Sequence, residues 1–186
     1  MTVVPDHEIL NLFRSGHKDT ALQKIVEAYG KTVYNVALFT LNDELAAEDI
    51  TQDVFIKIYK GLGQFRGHSS ISSWLYRITK NACFDLLKKK KADPLDNEQV
   101  GRIADSDRQN PEGDFFERDK HNAVRAAVSK LGEQQRMAVS LYYFQQLSYE
   151  EIAEIMGQPL NTVKSYLFRG KKVLAAELAA FEEDYE

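Results

Sequence analysis

Residues 150–172 read "EEIAEIMGQPLNTVKSYLFRGKK": an acidic amphipathic segment, a Gly-Gln-Pro break, and a second segment whose only charges are positive. On a helix, where each residue turns by about 100°, Val163, Leu167, Gly170 and Leu174 share one narrow stripe suited to packing on a core. Opposite that stripe fall Asn161, Ser165, Phe168 and Lys172, flanked by Lys164, Arg169 and Lys171, so Phe168 is expected to point outward among polar and basic side chains. The segment before the break has its own punctuation. Ser148 is an N-cap, Glu151 three residues on closes a capping box, Ile152 and Ile155 face inward, and Gly157 ends the helix.

Two short helices about a tight glycine turn, the second one basic, describe a helix-turn-helix. On pattern alone they also describe a helical hairpin with a solvated charged face. In the first reading the outward residues Asn161, Thr162, Lys164, Ser165, Phe168, Arg169, Lys171 and Lys172 enter a DNA major groove. There an aromatic ring can meet a thymine methyl while the polar and basic groups reach base edges and phosphates.

Composition bounds the rest. The chain has 186 residues, 44% hydrophobic and 28% charged, and no apolar run approaches the roughly 20 residues that span a bilayer. Pro5, Asp6 and Glu8 occupy the place of a signal-peptide core, so the chain is expected in the cytosol without membrane insertion. Cys83 is the single cysteine, which excludes an internal disulfide and a cysteine-cluster zinc site and suggests a small, partly buried helix residue. The histidines are scattered at 7, 17, 68 and 121, and neither a GxxxxGK nor an HExxH is present. No catalytic residue, metal or cofactor is expected, and the chain reads as a non-enzyme.

The net charge of −4 conceals blocks: residues 66–91 carry seven bases against Asp85, residues 92–120 nine acids against four bases, and residues 175–186 five acids and no base. Such a molecule can present basic faces to DNA while remaining repelled by duplex overall, so its DNA affinity should depend on a larger partner.

Helical periodicity runs through residues 8–91, with apolar positions Leu22, Ile25, Val26, Tyr29, Val33, Val36 and Ala37 over 19–41, and Ala47, Ile50, Val54 and Ile58 over 44–59. Strand-like alternation is absent. The stretch 91–114, rich in Asp, Asn, Gly and Pro, reads as an extended linker, and a second helical region follows from Phe115 to Phe181. The expected fold is all-α: two small helical domains, 1–91 and 115–186, joined by an acidic flexible linker at 92–114.

The stretch 65–91, "FRGHSSISSWLYRITKNACFDLLKKKK", repeats the logic of the opening: a small-residue loop from Gly67 to Ser73, then a helix with a core stripe of Leu75, Ile78, Ala82 and Leu86. Its other face carries Arg77, Lys80, Asn81, Phe84, Lys88 and Lys91, with Trp74 at the edge. Aromatic groups beside a basic track suit stacking on unpaired bases, worth on the order of 1 to 3 kcal/mol per base. Trp74 and Phe84 read equally well as core.

In this order, "AEDITQDVFIKIYKGLGQFRG" (47–67), "SSWLYRITKNACFDLL" (72–87) and "LSYEEIAEIMGQPLNTVKSYLFRGKKVL" (147–174) resemble the extracytoplasmic-function sigma factors of bacterial RNA polymerase over nearly the whole chain. The resemblance implies an alternative transcription-initiation factor whose first domain docks on core polymerase and melts the minus-ten element. Its second domain would read the minus-thirty-five element as duplex. It implies polymerase docking by Asp49, Gln52 and Asp53, extended by Phe55, Ile56 and Tyr59. It also implies a flipped-base pocket at Phe65, Ile78 and Asn81 beside the loop bearing Arg66, His68 and Ser69, and groove reading by Lys164, Ser165, Phe168 and Arg169. With Trp74, Arg77, Lys80, Phe84 and Lys88 these complete the expected single-strand face. Partners implied are core RNA polymerase, promoter DNA and an anti-sigma factor. Two positions depart from the family pattern: Tyr166 stands where Arg is frequent, so no phosphate contact is carried there, and Asn161 stands where Gly is common and is expected as the helix N-cap. A stand-alone helix-turn-helix regulator would explain residues 148–172 but leaves the basic aromatic helix and the acidic linker without purpose.

Overall fold

The computed structural model describes residues 5–65, 67, 69–92 and 123–183, with side chains as far as residue 179. The described residues are helical with connecting turns and contain no strand, as expected. The helices are α1 (Asp6–Arg14), α2 (Lys18–Leu41), α3 (Glu44–Gly61), α4 (Ile71–Ala92), α5 (described over 123–129), α6 (Glu133–Gln145), α7 (Tyr149–Met156) and α8 (Leu160–Glu183), with a short 3-10 turn at Leu62–Gln64. Beyond Ala92 the expected linker lies outside the described residues, as do Arg66, His68 and Phe115.

Helix α2 is the spine of the N-terminal half, packed on α1, α3 and α4. It ends at Asn42, whose left-handed φ of 55° satisfies the last turn by donating to the Leu38 carbonyl, and Asp43 at once caps α3 by accepting from the Ala46 N–H at 3.1 Å. Asp43 also takes the Lys90 ammonium of α4 at 3.0 Å. Partial burial works against its charge, but the backbone N–H groups and Lys90 outweigh burial and hold the carboxyl below its ordinary range. The start of α4 is fixed twice: Ser70 Oγ accepts from the Ser73 N–H at 3.1 Å, and Asp6 Oδ2, from α1, accepts from the Ile71 N–H at 2.8 Å.

The expected α3 stripe is buried throughout: Ala47, Ile50, Val54 and Ile58 are at most 6% exposed. On α2 the expectation fails at Val26, which is 41% exposed. Neighbouring residues are rotated about 100° apart, so Ile25 and Val26 cannot both face the same partner, and Ile25 takes the core. Thr32, Thr40, Thr79 and Ser140 are buried polar residues that apolar periodicity did not anticipate. Three of these hydroxyls donate within their own helices, Thr40 to the Val36 carbonyl at 2.7 Å, Thr79 to Leu75 at 2.9 Å and Ser140 to Met137 at 2.9 Å, which relieves the cost of their burial. Cys83 is wholly buried rather than partly so, and burial pushes its thiol up to about 12, leaving it an inert core group.

The C-terminal half is built on α6, α7 and α8, with α6 also packed on α2. Gly170 is what lets α6 and α8 approach, because a Cβ there would stand 2.7 Å from Val139 Cγ2. The apolar core is continuous between the halves, running from Val36, Ala37 and Leu41 of α2 into Met137, Ala138 and Leu141 of α6. At this seam Thr40 Oγ1 lies 3.8 Å from Met137 Sδ, and Arg136 donates through Nε to the Thr40 carbonyl at 2.7 Å and through Nη1 to the Leu131 carbonyl at 3.1 Å. A guanidinium thereby satisfies a carbonyl at the end of α2 that the helix itself leaves open.

Candidate nucleic-acid interface

Local capping positions the first candidate face. Ser148 Oγ accepts from the Glu151 N–H at 3.2 Å while Glu151 Oε2 accepts from the Ser148 N–H at 2.8 Å, the reciprocal pair expected from the sequence. The Ser148 N–H and the Ser148 hydroxyl both donate to Glu151 Oε2 at 2.8 Å and hold that carboxyl below its ordinary range, with slight desolvation opposing them. Helix α7 stops at Gly157, whose φ of +63° is a left-handed geometry that suits glycine, and the Gln158 N–H returns to the Ala153 carbonyl at 3.0 Å. Helix α8 then starts at Leu160, two residues before the start at Thr162 that the expected N-cap at Asn161 would set. The Pro159 carbonyl takes the Thr162 and Val163 N–H groups at 2.9 and 3.1 Å, and the fixed φ of proline prepares the first turn, so Asn161 sits inside that turn with its side chain exposed.

The outward direction of Phe168 holds. It is 73% exposed, while Val163, Leu167 and Gly170 are buried and Leu174 is half-buried. Asn161, Lys164, Arg169, Lys171 and Lys172 surround it in solvent, and Thr162 and Ser165 are half-buried. None of these cations is ion-paired with another described residue. The face therefore offers a bare aromatic ring inside a ring of free cations.

Helix α4 carries the second face, and here the side chains are engaged. The Trp74 ring lies against Gly61, where a Cβ would come within 3.0 Å of Trp74 Cζ2, and meets Phe65 at 5.1 Å between centroids. Trp74, Phe65, Phe84 and Ile78 are all half-buried, intermediate between the core and stacking roles open to them in the sequence. Asn81 and Lys88 are exposed, and Ser69 and Lys80 are half-exposed. Arg66 and His68 lie outside the described residues. Burial is centred on Leu75, Tyr76, Thr79, Ala82 and Cys83, a few tens of degrees from the expected stripe, so Ile78 and Leu86 fall at its margin.

What the sequence could not foresee is the neighbour of this face. Helix α7 packs on α4, and Arg77, Lys80 and Asn81 line a cleft whose opposite wall is Glu154, Ile155 and Gly157. Arg77 pairs with Glu154 through Nη2, its Nε is buried without a hydrogen-bond partner, and the Tyr76 hydroxyl donates to Gln145 Oε1 at 3.0 Å. No periodicity links residues so far apart in the chain.

A third face lies on α3. Asp49, Gln52 and Asp53 are exposed as expected, beside Ile56 at 50% and half-buried Phe55. Leu45, 64% exposed, was missed. The spacing of Leu45, Asp49, Gln52 and Ile56 at i, i+4, i+7 and i+11 places it on the same face and would have found it. Tyr59 belongs to the same helix and donates its hydroxyl to Asp19 Oδ1 at 3.3 Å.

Comparison with known proteins matches these elements in order. A model of sigma-70 region 2 matches residues 25–92, and one of sigma-70 region 4 matches residues 121–174. The RNA polymerase sigma-H factor of Pseudomonas aeruginosa is 30% identical over 182 residues, covering 94% of both chains. The ECF RNA polymerase sigma factor SigW of Bacillus subtilis is 33% identical over 175 residues, covering 89% of this chain and 92% of that protein. The fold is shared with CnrH, solved in complex with the cytosolic domain of CnrY, at a TM-score of 0.69 and 21% identity over 94% of this chain and 97% of that one. It is shared also with the Bartonella quintana sigma factor RpoE, solved with the anti-sigma factor NepR, at a TM-score of 0.70 and 23% identity over 84% of this chain and 96% of that one. With its two basic helical faces in the order of regions 2 and 4, the chain belongs to the extracytoplasmic-function branch of the sigma-70 family and is an alternative sigma factor for transcription initiation.

Proposed function

We propose that the three faces divide the work of initiation along the boundaries 1–91, 92–114 and 115–186. The α3 face of Asp49, Gln52, Asp53, Phe55 and Ile56 docks on core RNA polymerase. Its carboxylates meet basic side chains while Leu45 and Ile56 add apolar contact. The α4 face holds the non-template strand of the minus-ten element, with Asn81 hydrogen-bonding an extruded base, Phe65, Trp74 and Phe84 offering ring surface, and Arg77, Lys80 and Lys88 neutralising phosphates. The α8 face reads the minus-thirty-five element in the major groove. The chain carries no chemistry of its own and works in the cytoplasm, where the polymerase is. A partner of the anti-sigma class fits the exposed apolar residues of α3, by analogy with RpoE and its anti-sigma factor NepR.

The observation that carries this reading is Phe168, a large ring left 73% exposed among cations with no described ion-pair partner, on a stretch of helix whose other side, Val163, Leu167 and Gly170, is buried. A solvated helix face gains nothing from such a ring, whereas a groove floor with thymine methyls does. Run-off transcription with core polymerase tests it. Lys164→Ala and Arg169→Ala each lower activity at a matched promoter by the equivalent of about 1 to 3 kcal/mol where they touch a base, and relax selectivity for the upstream element. Unchanged activity and selectivity in both would remove the assignment. For docking, Asp53→Lys abolishes transcription while the circular dichroism stays that of the parent, and a folded variant that still co-purifies with core polymerase refutes that face.

A further inference from the structure

Helix α1 touches both ends of the segment 65–70, which joins the 3-10 turn to α4. At the first end its Phe13 ring lies against the turn. A Cβ on Gly63 would stand 3.3 Å from Phe13 Cε1, and the turn closes as the Phe65 N–H donates to the Leu62 carbonyl at 3.3 Å. At the second end Asp6 Oδ2 accepts from the Ile71 N–H at 2.8 Å. Helix α1 is itself fixed, with Ile9 fully buried and Glu8 paired to Lys24 of α2 at 2.9 Å. The two ends also meet directly, since the Phe65 and Trp74 rings lie 5.1 Å apart between centroids.

The bond from Asp6 does what a local cap cannot. An N-cap side chain reaches the second or third amide of its helix, and Ser70 Oγ accordingly takes the Ser73 N–H. That leaves the first amide, Ile71, to an acceptor from elsewhere, and the acceptor comes from a residue 65 positions away in sequence. A bond between neighbours starts a helix, whereas a bond across the fold fixes where it starts. The Asp6 carboxylate also lies at the N-terminal ends of two helices, α1 and α4, where negative charge is favoured. We infer that Asp6 is a positioning residue for promoter opening: with Phe13 on Gly63 it makes α1 a bracket that sets Phe65 and the start of α4 at one spacing, so that Phe65 and Asn81 meet an extruded base together. The inference rests on the assignment of the α4 face to the minus-ten strand. Asp6 acts through Ile71 and touches no DNA. A contact surface held in its binding arrangement beforehand saves the cost of ordering it when the strand arrives.

Binding of the holoenzyme, core polymerase with this chain, to a premelted promoter tests the role. The non-template minus-ten strand is left unpaired, and each of its bases is removed in turn to leave an abasic site. In the parent, the abasic position that weakens binding most marks the captured base. Asp6→Ala should weaken binding to intact DNA about tenfold, the scale of one stacked base, and by no more than about twofold when that base is absent. Asp6→Asn keeps an oxygen acceptor for the Ile71 N–H and should stay within about twofold of the parent on both. A loss that merely reflects a weakened fold would be the same with and without the base. Phe13→Leu, at the other end of the bracket, should show the same base-dependent loss at about threefold, and it alone is read if the Asp6→Ala chain fails to join core polymerase. No loss, or a loss equal on intact and abasic DNA, overturns the inference, as does an Asp6→Asn chain as weak as Asp6→Ala. A parent indifferent to every abasic site would look different, since it overturns the single-strand reading of α4 and this inference with it.

Discussion

Helices α4 and α8 carry nearly the same ingredients on their outward faces, lysines and an arginine with aromatic rings between them, and the molecule treats them oppositely. On α8 the ring stands clear and the cations have no described partner. On α4 the Trp74 ring is half-sunk against Gly61 and Phe65, and Arg77 is held by a carboxylate from the other half of the chain. A residue's direction on its own helix is a local property, set by spacing. Its availability is set by whatever packs alongside, and that depends on residues far away in sequence.

The sharpest way to break this contrast is Trp74→Ala. If the ring is structural, its loss empties the space between Gly61 and Phe65 and lowers the stability of the N-terminal half by about 3 kcal/mol, read from urea unfolding followed by circular dichroism. A variant as stable as the parent would mean that Trp74 is as free as Phe168 and that the two faces are alike. Next in size is Gly170→Val, which sets a side chain against Val139 and should cost about 2 kcal/mol of overpacking, measured the same way, while leaving the α4 face untouched.

Glu151→Gln is smaller, at most about 1 kcal/mol, because Gln still accepts from the Ser148 N–H and only the charge at the helix start is lost, and it carries a pH signature. Folding favours the ionised carboxyl because the Ser148 N–H and hydroxyl hold its pKa below the ordinary value. Its contribution is therefore complete above the ordinary carboxylate pKa and disappears as pH falls through the lower, folded value. The variant should lose that part of the acid limb in a plot of melting temperature against pH, and a parallel limb would mean that the capping bond is absent in solution. Smallest on stability is Phe168→Ala, which should leave unfolding within about 0.5 kcal/mol of the parent while changing discrimination among upstream elements. A marked loss of stability would place the ring in a contact and erase the difference between the helices.

Much of this was legible in the sequence where spacing and capping chemistry act locally. Val163, Leu167 and Gly170 are buried and Phe168 exposed as the period requires; Ser148 and Glu151 cap one another, and Gly157 takes the left-handed turn. Ala47, Ile50, Val54 and Ile58 form the α3 core. The failures share a cause. Val26 reads as core because an apolar residue gives no sign of which neighbour its helix will meet, and Thr40 reads as polar because its hydroxyl bond to Val36 and its contact with Met137 exist only after packing. Asn161 is a strong cap by type, but the Pro159 carbonyl takes the first amides and the helix begins at Leu160, two residues sooner than a cap at Asn161 would set it. The pairing of Arg77 with Glu154 has no local signature at all.

The carboxylate of Asp6 on the Ile71 N–H has a consequence for where a working unit begins. The region 2 match starts at residue 25, within α2, and a fragment cut there would retain the motifs of the α3 and α4 faces. It would also lose α1 and its fully buried Ile9, and with them the oxygen that anchors the first amide of α4 at Ile71; the loop that the sequence suggested over Gly67 to Ser73 ends sooner, since Ile71, Ser72 and Ser73 are helical. The motif boundary and the mechanical boundary differ by a helix, so dissecting this protein into halves calls for a cut that keeps Asp6 with Ile71.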